Sequence, residues 1–112
     1  MSHRVVVDVV VRQDYQIGFE QFDDTTFCHV LVHRWSPRVA RQFRADIEDA
    51  HRLLGRPVYA LERPEAPNQL HFLKLHGFVP CGRVLDAAGR DVSIYGRTIH
   101  GQPLQWFQHP EQ

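Results

Sequence analysis

The sequence predicts an α/β domain, a mixed sheet with two flanking helices. Three observations lead there. Two runs are rich in β-branched and apolar residues, Val5 to Val11 and Phe27 to Val32, and read as strands. Val39, Phe43, Ile47, Ala50 and Leu54 recur at spacings of four, four, three and four, which makes one apolar stripe on a helix. A further strand-like run, Pro57 to Leu61, follows so closely that strand, helix and strand must form a crossover unit with parallel strands.

Each element has its own local cause. Asp8 interrupts the first run without ending it, and Tyr15 to Phe19 gives a second short strand. Gln21 to Thr25 is polar and reads as a turn. Phe27-Cys28-His29-Val30-Leu31-Val32 is almost continuously apolar, which suits a strand buried on both faces in the middle of the sheet. The first helix begins at Ser36-Pro37, a capping residue followed by a proline where its missing N–H costs nothing, and Gly55 is suited to end it. Arg41, Arg44, Glu48 and Arg52 lie opposite the apolar stripe.

After Arg63-Pro64-Glu65-Ala66-Pro67 the spacing predicts a second helix from Asn68 to His76, closed by Gly77. Its apolar residues Leu70, Phe72, Leu73 and Leu75 are spread around it, so burial is expected on most sides. Arg83 to Asp86, a turn with Gly89, and Val92 to Tyr95 read as a hairpin that closes a domain over residues 1–98. The tail, 99–112, carries Leu104, Trp106 and Phe107, too apolar for a solvated tail; it is expected to dock on its own domain or on a partner.

Composition excludes several function classes. A chain of 112 residues holds one modest core. Its 13 Lys and Arg balance 13 Asp and Glu, so bulk charge steers it to neither nucleic acid nor an anionic membrane, and nucleic acid is not expected as the primary partner. The valine run at the start is too short for a membrane span or a secretory signal, which points to the cytosol or to an assembly. Cys28 and Cys81 sit in strand-like runs without metal spacing and read as buried thiols. His29 and His33, four apart on a strand, would stand roughly 13 Å from each other and cannot share a metal without a bend. His71 and His76 face different ways on a helix, and no metal is expected.

Strand, helix, strand, helix and hairpin over Phe27 to Thr98, with His71-Phe72-Leu73-Lys74-Leu75-His76-Gly77-Phe78 as the most specific part, resembles the second half of the acetyl-CoA-dependent N-acetyltransferases. The resemblance implies a truncated fold of that kind. It also implies a phosphate turn with two closely spaced glycines after an Arg or Gln. If Arg34 takes the first place, Pro37 and Val39 stand where the glycines belong. Ala66 stands where active members carry an Asn, and Leu73 where they carry the Tyr that protonates the leaving thiolate. Leucine can neither give nor take a proton.

Trp35, Ala40-Arg41-Gln42-Phe43-Arg44, Pro57-Val58-Tyr59-Ala60 and Phe72-Leu73-Lys74 before Gly77 look like the small internal virion proteins of short-tailed bacteriophages, which themselves resemble a degenerate acetyltransferase. That resemblance implies a non-enzymatic component of the internal core or ejection apparatus, located in the virion and in host cytoplasm during assembly. It would bind other virion or assembly proteins and use no cofactor and no catalytic residue. Trp35, Leu104, Trp106 and Phe107 are then the candidate interface, since aromatic residues favour interface centres. The rival expectation is an N-acetyltransferase in which Arg34 and Arg38 take the pyrophosphate of acetyl-CoA by charge.

Overall fold

The computed structural model describes residues 6–99 and 101–108. Val5, at the start of the first expected strand, and the tail's last four residues lie outside that range. Strands β1 (Val6–Val11), β2 (Tyr15–Phe22) and β3 (Thr25–Val32) are followed by helix α1 (Pro37–Leu54), strand β4 (Val58–Leu61), helix α2 (Gln69–Leu75), strands β5 (Val79–Leu85) and β6 (Asp91–Arg97), and a short β7 (Phe107–Gln108). The strands form one seven-stranded sheet in the order β1-β2-β3-β4-β6-β5-β7. The pairs β3–β4 and β5–β7 are parallel and the rest antiparallel, so the sheet is mixed, as the sequence predicts.

Strand alternation sorts the core into two layers. Val58 and Ala60 of β4 join Tyr15, Ile17, Phe19 and Cys28 beneath both helices, where Val39, Phe43, Ile47 and Leu73 meet them. Tyr59 and Leu61, the intervening residues, point the other way and join Cys81 and Ile94 in a second cluster. No helix covers that layer among the described residues; Leu104 and Phe107 of the tail pack on it.

Helix α1 matches its predicted signals. The Ser36 hydroxyl accepts from the Val39 N–H at 3.1 Å, Pro37 occupies the first turn, and Gly55 ends the helix with φ +75°. Val39, Phe43, Ile47 and Ala50 are buried along the expected stripe. His51 is buried with them, a position that hydrophobic periodicity alone does not reveal. Its Nε2 meets the Arg56 carbonyl at 2.9 Å and its Nδ1 meets Arg97, which also pairs with Glu48. Desolvation holds its pKa below the ordinary imidazole value.

Three expectations need correction. The turn expected over Gln21 to Thr25 is tighter: β2 and β3 run to Phe22 and from Thr25, and Asp23, at φ 52°, takes the bend. Helix α2 is shorter and less buried than expected, with Leu70 and Leu75 exposed; a helix of seven residues has one face for the sheet, and Phe72 and Leu73 occupy it. Strand β3 is interior, but β4 holds the middle position, and Leu31 and Val32 are exposed because β4 does not follow β3 to its end.

Candidate functional site: a closed turn beside an open cleft

Two adjacent features decide what the parallel unit can do. The first is the turn from β3 into α1. A helix start binds phosphate through bare N–H groups and the positive end of the dipole. Here Pro37 has no N–H. The Val39 N–H is taken by Ser36 Oγ and the Ala40 N–H by the Ser36 carbonyl at 2.8 Å. The Val39 side chain is buried, so the backbone there cannot be approached from outside. Before the helix, the Arg34 N–H is bound to the Asp14 carbonyl at 3.1 Å. The residues present do not fit a pyrophosphate.

Trp35 seals the same corner. Its ring makes edge contacts with Phe43 of α1 and Phe72 of α2, each at a centroid distance of 5.8 Å, although 43% of the residue remains exposed. Behind it His76 packs against both phenylalanines at 4.8 and 4.6 Å, and neither ring nitrogen has a protein partner. Burial pushes its pKa down to about 4, with Arg44 and Arg97 adding to the shift. Arg34 and Arg38 both reach into solvent, and Arg38 stands 4.0 Å from Asp14.

The second feature is a cleft of about 690 Å³ between β3 and the segment that follows β4. Strands β3 and β4 register at one pair, Phe27 and Tyr59, and β4 ends at Leu61 while β3 runs on to Val32. Val30, Val32, Phe72 and Leu73 give the cleft apolar surface, while Glu20, Glu62, Glu65 and Asp86 give it carboxylates. Glu20 is 3% exposed, and His29 Nε2 lies 2.7 Å from its Oε1. Ala66 and Leu73, the two places where the resemblance demands an Asn and a Tyr, both line this cleft, so its wall supplies no phenol there. None of residues 34–38 lines it.

The remaining candidates separate clearly. Burial pushes the Cys28 thiol up to about 12 and the Cys81 thiol up to about 11, which leaves both protonated at neutral pH. Cys81 Sγ donates to the Ile94 carbonyl. Among the described residues no group of three His, Cys, Asp or Glu could hold a metal, and no helix is long and apolar enough to cross a membrane.

Of the tail candidates, Leu104 and Phe107 are half-buried on their own domain, Phe107 at 5.1 Å from Tyr59, and Trp106 is 72% exposed. The tail fits because two strand glycines leave room for it. At Gly96 an added Cβ would stand 2.6 Å from Leu104, and at Gly82, with φ +137°, it would collide with the Phe107 backbone. Those glycines were the available signal for a docked tail, since glycine inside a strand marks close approach of another chain segment.

No protein-family model and no curated protein sequence matches this chain. Among solved structures it is similar to the crystal structure of a protein described as a phosphinothricin N-acetyltransferase, with a TM-score of 0.57 and 20% identity over 77% of this chain. The chain spans 63% of that protein's length. The likeness concerns the fold: this protein has the truncated, N-acetyltransferase-like α/β arrangement that its sequence predicts.

Proposed function

We propose that this protein is a non-enzymatic derivative of the N-acetyltransferase fold that works through protein contacts, as a component of a bacteriophage particle. It would reside in the virion, and in host cytoplasm during assembly, with other virion or assembly proteins as partners. The observation that carries the non-enzymatic part is the turn at Ser36. The Ser36 hydroxyl takes the Val39 N–H, Pro37 has no N–H to offer, the Val39 side chain is buried, and Trp35 packs its ring on Phe43 of α1 and Phe72 of α2. The phage setting rests on the resemblance of the Trp35 to Gly77 segment. The exposed faces of Trp35 and Trp106 are the aromatic surface available for contact.

Calorimetric titration with acetyl-CoA tests the non-enzymatic part. The expected result is no saturable binding in the micromolar range. Tight binding accompanied by acetylation of an amine would install the N-acetyltransferase reading instead, with Arg34 and Arg38 as its phosphate ligands. Mass spectrometry of purified phage particles tests the setting, and the chain is expected among the virion proteins.

A further inference from the structure

We propose that this protein pairs with a second copy of itself along β1, edge to edge and antiparallel about a two-fold axis, so that two sheets join into one with both α1 helices on the same side. Strand β1 takes no part in the Ser36 turn or the cleft, so this pairing is independent of whether the chain binds acetyl-CoA.

The edge itself comes first. Strand β1 is outermost in the sheet, with β2 on one side and, among the described residues, no strand on the other. It runs for six residues, whereas β7 at the opposite edge has two. A long open edge is a template for another strand, and proteins blunt such edges with short strands, lysine or proline. Here Asp8 is the one polar residue, and the other five are valine. Val10 packs against the core, but Val6, Val7, Val9 and Val11 are exposed. Threonine would serve strand propensity in their place, so four solvent-facing valines in six residues point to a surface that becomes covered.

The pattern of β1 then selects a second copy as the partner. Val7 and Val10 lie opposite Phe19 and Ile17, on the helix side of the sheet, while Val6 and Val11 lie opposite Glu20 and Gln16, on the other side. Because the register shifts between Asp8 and Val10, the two ends of the strand match. An antiparallel copy with Val6 opposite Val11 and Val7 opposite Val10 sets like face against like face. Beside Val9 and Val10 there is a hollow of about 320 Å³, lined also by Phe19, Ala50 and Leu54, and Leu53 on its border is 90% exposed. In the pair, Leu53 of each copy would reach the hollow of the other. The four exposed valines and Leu53 offer on the order of 500 Å² per copy, so a pair would cover about 1,000 Å², the size at which specific interfaces begin. Asp8 opposes the pairing. It would stand near its counterpart at the axis, a like-charge contact that holds the affinity in the micromolar range.

Sedimentation velocity of the full chain between about 1 and about 500 µM tests the pairing. The weight-average mass should rise from the 13.1 kDa of one chain to twice that and stop there. Val7→Lys puts an edge-blunting charge on the strand, and Leu53→Lys alters an exposed position on α1; each should weaken the dimer by about tenfold or more. Asp8→Asn, which removes the like-charge contact, should strengthen it by about threefold. Should Val7→Lys fail to fold, Leu53→Lys decides alone, because its melting temperature at low micromolar concentration should equal that of the parent. A chain that stays monomeric up to about 500 µM refutes the pairing. A dimer that both lysine variants leave intact places the contact on another surface and refutes it as well, as does a mass that grows past two copies, since a two-fold pair uses up the edge.

Discussion

The turn at Ser36 and the cleft behind it are neighbours on one strand-helix-strand unit, yet they differ in how their polar groups are satisfied. At the turn, Ser36 holds the Val39 N–H and Asp14 the Arg34 N–H, Pro37 has none, and the rings of Trp35, Phe43 and Phe72 pack on one another beside it. In the cleft, one side of β3 has no ladder beyond Phe27, and carboxylates line an open volume. The contrast separates two kinds of feature. Anion binding at a helix start depends on a few N–H groups, which a capping hydroxyl and a proline take away. The cleft depends on where the strands end in the sheet, which those two residues do not touch.

The change expected to disturb this contrast most is Phe43→Ala. Phe43 is fully buried and touches Tyr15, Trp35, Phe72 and His76. Its removal should cost about 3–5 kcal/mol, a large share of the stability of a domain this size. Urea denaturation should show the loss, and Trp35 fluorescence should shift as its packing disappears. A midpoint close to that of the parent would mean that the ring cluster does not hold the turn.

Acid should act on the same side of the molecule. His76 is held at about 4 in the folded protein against 6.5 when unperturbed, so between those values the unfolded chain binds the extra proton. Stability is therefore full above about pH 6.5 and falls as the pH drops toward 4, by at most about 3 kcal/mol. His51, shifted in the same direction, adds to the loss. Asp46 and Glu48 are held below their usual carboxylate values by Arg12 and Arg97, so their contribution disappears only as the pH falls below the ordinary carboxylate range. His76→Phe should flatten the loss between pH 6.5 and 4 and leave the steeper acid limb in place. If thermal melts of parent and variant show the same slope in that window, His76 does not set it.

Much of this arrangement was legible in the sequence, and the unread part has identifiable physical causes. Helix α1 was readable from end to end because its cap, its stripe and its terminal glycine are local signals in agreement. The closed turn was readable for the same reason, since Pro37 and Val39 exclude a phosphate wherever they fold. His51 was not, because a buried histidine depends on Arg97 and on the Arg56 carbonyl, contacts that no spacing records. The early end of β4 beside β3 was also hidden: an apolar run says that a strand is interior, not how far its neighbour follows it. The tail's seat lay in Gly82 and Gly96, which a reading for strands passes over as weak strand formers.

Those glycines give the next test. Gly96→Val would press a branched side chain into Leu104, Tyr59 and Cys81. Overpacking of this kind costs about 1–3 kcal/mol. The tail can move aside, so the expected result lies at the low end, with Trp106 fluorescence changed. A loss above about 3 kcal/mol in urea denaturation would show that the tail cannot leave its seat.

The smallest expected effect bears most directly on the comparison. Ser36→Ala removes the hydroxyl that accepts from Val39, which should cost about 1 kcal/mol of stability. The Val39 N–H is then released at the helix start, where the dipole favours an anion. If the capping hydroxyl were all that closed the turn, this variant would begin to bind acetyl-CoA. It should not, because Pro37 still has no N–H, Val39 stays buried, and Trp35 still bridges Phe43 and Phe72. Calorimetry on Ser36→Ala beside the parent makes the distinction: binding that appears on loss of one hydroxyl would mean that the turn is a latent phosphate site held shut by its cap, whereas its absence, with the melting temperature lowered, would mean that the closure is built into the packing.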